Sequence, residues 1–431
     1  MTNIILKAVT IKLDIILNLP GSKSIANRVL LLAAVACGEN IIHNVPVVSE
    51  DVMLMLEALI KLGVCIKKLD EVDGCASYKI IGCNGSFPVK QAEIFCGNSG
   101  TTIRFLTAML SVMDGAYILT GIARMKERPI VDLINALKQI GANIGYVENS
   151  GYPPIKIQPF RYNNNELIKI SGKTSSQYLT GVLMAMPLVK NNIIIEIIDE
   201  LISKPYIDIT LGLLEIFGCE IKARENNYII ENDVDIYAVN YTIEPDASSA
   251  SYFLAMGALR GQVAINNLSH SSLQGDKNFA STLSLMGAVV DYSDVQIRVT
   301  SAQLHGITVN MEDMPDVAMT LAVVALFATG KTTIMGIQSW KVKETDRLQA
   351  MYNELTKLGA RVSRTDSSIT IEPPQKILEN IAIDTYNDHR MAMCFSLIAV
   401  GGVPVIINNY QCVGKTFANY FDIFNQLMYS I

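Results

Sequence analysis

The 431-residue chain lacks the signals that would place it in several common classes. Its eight cysteines (Cys37, Cys65, Cys75, Cys83, Cys96, Cys219, Cys394 and Cys412) form no C-x-x-C pair and no metal-ligand spacing, and there are only four histidines. Most of these thiols sit in apolar runs, as reduced buried cysteines do. A reducing cytoplasm and no zinc are the expectation. Long apolar runs are missing too, although half the residues are hydrophobic and mean hydropathy is +0.30. The longest candidates, near 317–330 and 391–407, are broken by Thr, Ser, Gly or Pro before the ~20 residues a spanning helix needs. Lys7, Lys12 and Asp14 interrupt any signal-peptide character at the N-terminus. The chain also has no basic excess: its net charge of −6 argues against a nucleic-acid surface. An anionic ligand would have to be held by a local cluster, since the field of the whole protein would not attract it.

Familiar phosphate and hydrolase motifs are absent as well. GKT occurs at 172–174, 330–332 and 414–416, but the glycine a P-loop needs five residues earlier is Leu167, Ala325 or Asn409. There is no G-x-G-x-x-G after a strand, no H-E-x-x-H and no G-x-S-x-G. Neither a metal nor an organic cofactor is expected.

What the chain does contain is repetition. Its length suggests two or three domains. ALIKLGVCIKK, ALKQIGANIGY, LLEIFGCEIKA, TLSLMGAVVDY and ELTKLGARVSR share a helix-to-strand pattern, with glycines at 63, 141, 218, 287 and 359. Each predicts an amphipathic helix stopped by a C′ glycine, then a short strand. Between them run polar loops that open nearly all-apolar helices, at Ser22, Ser99, Ser175, Ser248, Asp316 and Asp388. Six units follow, each with one buried and one amphipathic helix, the sixth amphipathic helix being KTFANYFDIFNQLM at 415–428. Six polar helix mouths would supply unpaired N–H groups and positive dipole ends, which suit anions. In LPGSKSIANR, with Lys23 and Arg28 at such a mouth, that outweighs a simple serine cap.

Other charged groups recur near helix starts: RMKERPI before a helix near Pro129, SWKVKETDRLQAM opening the helix that ends at Gly359, Asp316 in MPDVAM, where an N-cap is the competing role, and Asp388, His389 and Arg390 in NDHRMAM. An arginine abutting a buried helix is costly unless it meets a carboxylate or a ligand anion.

LPGSKSIANR, GNSGTTIR, RMKERPI, SSQYLTG, SKPYIDIT, PDASSASYF, PDVAMT, KVKETDRL, NDHRMAM and GKTFANYF run in order from residue 19 to 421. Together they closely resemble the motif series of the 5-enolpyruvylshikimate-3-phosphate (EPSP) synthase family. The resemblance implies an α/β fold of two lobes, each of three βαβαββ units around a pseudo-threefold axis, the inside-out α/β barrel of enolpyruvyl transferases. Residues 21–242 would form the N-terminal lobe and 1–20 with 243–431 the C-terminal lobe, with the active site in the cleft between them. It also implies a cytoplasmic enzyme, expected to be a monomer, with two small-molecule substrates, phosphoenolpyruvate (PEP) and shikimate 3-phosphate.

By position, the resemblance assigns PEP binding to Lys23, Asn98, Gly100, Arg128, Gln177, Arg347, Arg390 and Lys415. Shikimate 3-phosphate would meet Lys23, Ser24, Arg28, Ser175, Ser176, Gln177, Ser203, Tyr206, Asp316, Ser339 and Lys343. Asp316, Glu344 and Lys343 would carry proton transfer. Ser339, Lys341 and Phe105 depart from the residues common in the family (asparagine, arginine and proline). The alternatives are a UDP-N-acetylglucosamine enolpyruvyl transferase and a non-catalytic phosphometabolite-binding relative. The first usually carries a cysteine-bearing loop that this chain lacks; the second should have lost Asp316, Glu344 or Lys343.

Overall fold

In a computed structural model that describes residues 2–429, the helices come in pairs. Those of the first half are α1 (Lys23–Val35) and α2 (Glu50–Lys61), α3 (Gly100–Leu110) and α4 (Val131–Lys138), then α5 (Ser176–Ala185) and α6 (Pro205–Ile216). The second half continues with α7 (Ala247–Arg260) and α8 (Phe279–Leu285), α9 (Ala318–Val324) and α10 (Arg347–Lys357), then α11 (His389–Val400) and α12 (Tyr420–Tyr429). The first helix of each pair is buried almost end to end, which explains its continuous apolar sequence; every residue of α3, α9 and α11 is buried. The second exposes its polar side and buries a stripe, as its 3.6-residue pattern requires. Gly63, Gly141, Gly218, Gly287 and Gly359 end five of these second helices with φ between 82° and 111°, a region that glycine enters without a Cβ clash.

The chain divides into two compact units, residues 21–243 and residues 1–20 with 244–431. Each holds three small sheets. In the repeat around α3 and α4, Gln91–Phe95 pairs in parallel with Ala116–Thr120, which pairs antiparallel with Ile155–Gln158 and so reaches Asn143–Tyr146. The order is βαβαββ, a buried helix making the parallel crossover. The repeat around α5 and α6 has the same order, with Leu167–Ile170 parallel to Ile193–Ile197.

Two repeats borrow their first strand from a distant part of the chain. Asn240–Thr242, just before α7, lies parallel to Glu39–Pro46, whereas Leu13–Leu17, just before α1, lies parallel to Gly261–Asn266. Residues 21–243 thus close on their own last strand, and the other unit closes on a strand from its separate N-terminal segment. The final repeat uses the N-terminus once more, since Asn3–Leu6 pairs antiparallel with Val405–Asn408.

Some helix starts differ from the sequence pattern. The cap of α7 is Asp246, whose carboxylate accepts from Ser249 N at 2.6 Å, and Ser248 lies within the first turn. The cap position of α9 is Val317, one residue beyond Asp316. Residues 415–428 are not one helix: a 3-10 segment, Tyr410–Lys415, precedes α12. Among the described residues no helix is long and apolar enough to cross a membrane, and no cluster of His, Cys, Asp and Glu could hold a metal ion.

Candidate functional site

Within residues 21–243, the mouths of α1, α3 and α5 bear the expected polar residues. Ser99 caps α3 and accepts from Thr102 N, and Ser175 caps α5 and accepts from Gln177 N. Ser176 and Gln177 fall in the first turn of α5, Ser24 in the first turn of α1. Lys23 lies 3.1 Å from Asp51 of α2.

Arg28, one turn into α1, is 1% exposed. It donates to Thr210 Oγ1 at 2.9 Å, to the carbonyls of Ser24 and Tyr206 at 2.7 and 3.1 Å, and to Thr180 Oγ1 at 3.3 Å. Its guanidinium carbon stands 5.2 Å from the Phe105 ring centroid, a cation–π geometry. These acceptors are all uncharged, so burial pulls the Arg28 pKa down to about 10, opposed by Tyr206. Among the described residues this buried cation is supported by dipoles and a ring and by no carboxylate, so its charge is uncompensated and suits an anion. Tyr206 opens α6 just after Ser203, a buried serine held at φ 55°.

Arg128 donates to the Asn98 carbonyl and to its side-chain oxygen, at 2.9 and 3.1 Å. Gln177 Oε1 accepts from Arg104 at 2.6 Å. Arg104 was not among the expected residues, although an arginine inside the apolar helix GTTIRFLTAML is the same signal that singled out Arg390. It lies over the Tyr178 ring, 5.0 Å from its centroid. Gly100 sits among these groups: a Cβ there would be 2.8 Å from Arg128 Nη2 and 3.0 Å from Gln177 Oε1.

In the other unit a denser cluster forms at the mouths of α9, α10 and α11. Arg347, 1% exposed, donates from Nη1 to Asp316 at 2.9 Å, from Nη2 to Glu344 at 2.8 Å and from Nε to Asp388 at 2.7 Å. Arg390 reaches the second oxygen of Asp316 at 2.9 Å and the Tyr252 hydroxyl at 3.1 Å. Lys343 lies 3.4 Å from Asp316, and Lys415 lies 3.8 Å from Glu344. Asp388 also caps α11 by accepting from Arg390 N at 2.9 Å. The sequence-based N-cap alternative for Asp316 is thereby corrected: three cations occupy its carboxylate instead.

Burial would raise the Asp316 pKa, but Arg390, Lys343 and Arg347 outweigh it and hold the carboxyl well below the usual range. For Lys343 burial dominates and lowers the pKa, with Asp316 opposing. Arg347 moves the other way: Asp388, Glu344 and Asp316 overcome its burial and fix its charge. Ser339, on the 3-10 segment Gln338–Val342 before α10, has a buried hydroxyl with no hydrogen-bond partner among the described residues. Lys341 instead points outward to Asp366, at 2.6 Å.

Two cation-rich clusters in a chain of net charge −6 are the signature of sites for multiply charged anions. Residues 9–424 match the family described as EPSP synthase (3-phosphoshikimate 1-carboxyvinyltransferase). The chain belongs to the EPSP synthase family. It is 48% identical to 3-phosphoshikimate 1-carboxyvinyltransferase of Paraburkholderia phytofirmans, over 95% of this chain and 96% of the relative. The enzyme of the same name from Burkholderia vietnamiensis is also 48% identical, over 95% of each chain. EPSP synthase of Acinetobacter baumannii superposes with a TM-score of 0.82 at 24% identity, covering 99% of this chain and 98% of that one. The enolpyruvyl transferase NikO of Streptomyces tendae gives 0.76 at 15% identity, over 99% and 97%. These two likenesses establish the enolpyruvyl transferase fold: two lobes of βαβαββ repeats.

Proposed function

We propose that the chain performs the family's reaction, the transfer of the enolpyruvyl group of PEP to the 5-hydroxyl of shikimate 3-phosphate. The carbon–oxygen bond to the sugar acid forms as the PEP methylene gains a proton, giving a tetrahedral intermediate. Loss of phosphate and of a methyl proton then restores the double bond. Both substrates are polyanions, which is what the cation clusters suit.

Lys23, Asn98, Gly100, Arg128, Gln177, Arg347, Arg390 and Lys415 hold PEP. Ser24, Arg28, Ser175, Ser176, Gln177, Ser203, Tyr206, Ser339 and Lys343, with Lys23 and Asp316, hold shikimate 3-phosphate. Asp316 takes the proton of the 5-hydroxyl, and Glu344 with Lys343 handles the proton of the methylene carbon.

The grip of Arg347, Arg390 and Lys343 on Asp316 carries this assignment. So held, Asp316 is a weak base. When the phosphate and carboxylate of PEP arrive at the two arginines, part of that compensating charge turns to the ligand and the proton affinity of Asp316 rises. The base is thus activated by the co-substrate. The deciding experiment is phosphate release by the purified protein with both substrates and no added metal or nucleotide; release without either substrate would refute the assignment. Asp316→Asn, which keeps the shape and removes the base, is expected to lower kcat by roughly 10²- to 10⁴-fold.

Ser339→Ala gives a separate expected result. The buried hydroxyl has no partner among the described residues, so its removal leaves thermal stability unchanged or slightly higher. Loss of the same group from the shikimate 3-phosphate pocket raises KM for that substrate several-fold, by about 1 kcal/mol for one hydrogen bond. A loss of stability with unchanged KM would remove Ser339 from the site. We further propose a cytoplasmic monomer; sedimentation of the purified chain tests the monomer, and fractionation of the cells that make it tests the location.

A further inference from the structure

One buried carboxyl near the second cluster has no part in the reaction as assigned. Asp276, 5% exposed, lies in the short 3-10 turn Gly275–Asn278. Its Oδ2 accepts a hydrogen bond from Ser248 Oγ in the first turn of α7. Gln274 fixes the turn to the same helix end, accepting from Ala247 N at 2.9 Å and donating to the Pro245 carbonyl at 2.7 Å. One helical turn beyond Ser248, and so on the same face of α7, is Tyr252, whose hydroxyl accepts from Arg390. Arg390 in turn holds Asp316. The order is Asp276, Ser248, Tyr252, Arg390, Asp316.

We propose that Asp276 is a positioning residue for the Arg390–Asp316 pair, its carboxyl setting how much of the Arg390 charge is available to PEP. The proposal rests on the assignment of Arg390 to PEP given above. The charged groups that act on Asp276 are Asp316 and Arg390, from the mouths of α9 and α11, and Asp246 at the cap of α7; the Glu244 carboxylate also lies against the turn, accepting from Leu273 N at 3.0 Å and from the Gln274 amide at 3.2 Å. The helix α8, which follows the turn directly, carries no titratable side chain, and Lys277 is turned toward the carbonyls of His270 and Ser272. Burial and then Asp316 push the Asp276 pKa up to about 7, against Ser248 and Arg390. Below that pH the carboxyl is neutral and Arg390 has one competitor fewer. Above it, a second negative charge acts on Arg390 and weakens its attraction for the anion. By linkage, PEP binding must draw a proton onto Asp276 near neutral pH.

The test is KM for PEP from pH 5.5 to 9 in the wild type, Asp276→Asn and Ser248→Ala. Asparagine can still accept from Ser248, so the turn keeps its anchor. The ratio of wild-type to Asp276→Asn KM is expected to rise roughly fivefold or more through a midpoint near pH 7. Taking the ratio cancels the titration of PEP itself. Ser248→Ala removes a bond that favours the ionised carboxyl, so its midpoint moves upward. Parallel wild-type and Asp276→Asn profiles would overturn the proposal, as would an unmoved midpoint in Ser248→Ala should Asp276→Asn fail to fold. A purely structural Asp276 would lower stability and kcat alike at every pH and leave the ratio flat. A wild type that releases no phosphate refutes the PEP assignment itself, an outcome distinct from flat ratios in an active enzyme.

Discussion

Arg347→Met is expected to abolish turnover and to lower the unfolding free energy by about 3–5 kcal/mol, the cost of removing one partner from a buried ionic network. The arginine is 1% exposed and donates to Asp316, Glu344 and Asp388, so the substitution leaves one buried and two partly buried carboxylates short of one shared counter-charge. Lysine would not rescue it, since an ammonium cannot fork toward three carboxylates in fixed directions. Adding Asp388→Asn to Arg347→Met should restore part of the stability. The asparagine oxygen can still cap α11, and one uncompensated charge disappears. Urea midpoints of the single and double variants check this. A single variant within 1 kcal/mol of wild type would mean that water, and not Arg347, satisfies the carboxylates.

The same substitution should change acid stability in a defined direction. The folded-state pKa of Asp316 is depressed, so its contribution is complete above the unfolded value of about 3.9 and is lost only as pH falls through the lower, native one. Removing Arg347 takes away one of the three cations responsible. Acid unfolding of Arg347→Met is therefore expected to begin at a higher pH than that of the wild type.

The sequence disclosed the repeats because each is local. A buried helix has to be apolar along its whole length, an amphipathic one has to alternate, and a C′ glycine marks where the second ends. It did not disclose which strands complete the sheets. Asn240–Thr242 is only three residues long, and its partner Glu39–Pro46 lies some two hundred positions away, with nothing in either segment to specify the other. The loss of the Asp316 cap has a similar cause: an aspartate before a buried helix is a good local cap, but three cations from distant segments compete for its oxygens more strongly than one N–H.

The site was legible to the extent that its residues break a local rule. Arg28 and Arg390 are arginines in apolar helices, and that anomaly marks them without any structure. Arg104 breaks the same rule and its significance emerges only from its bond to Gln177. Asp51 and Asp276 break none: both precede or open helices, where aspartate is ordinary. Their importance depends on partners at long sequence separation, Lys23 for the first and the Arg390–Asp316 pair for the second.

Gly100→Ala is expected to raise KM for PEP by about ten- to a hundredfold while leaving kcat and thermal stability close to wild type. Gly100 starts α3 with ordinary helical geometry, so alanine suits the backbone and has a higher helix propensity. The constraint is space. The new methyl would stand 2.8 Å from Arg128 Nη2, closer than real contacts allow, and 3.0 Å from Gln177 Oε1, tight enough that the amide must give way. Both neighbours are the far ends of flexible side chains, which can swing aside at little cost to the fold. Arg128 would then leave its two bonds to Asn98, and Gln177 its bond to Arg104. Displacing one charge-assisted contact to PEP costs about 1.5–3 kcal/mol, which corresponds to that range in KM. Arg347, Arg390 and the acid–base residues belong to other segments and keep their geometry, so the chemical step is preserved once PEP is bound. Serine at the same position places its Cβ in the same space and should behave alike. A Gly100→Ala enzyme with wild-type KM but depressed kcat would show that Arg128 acts in the transition state and not in binding PEP.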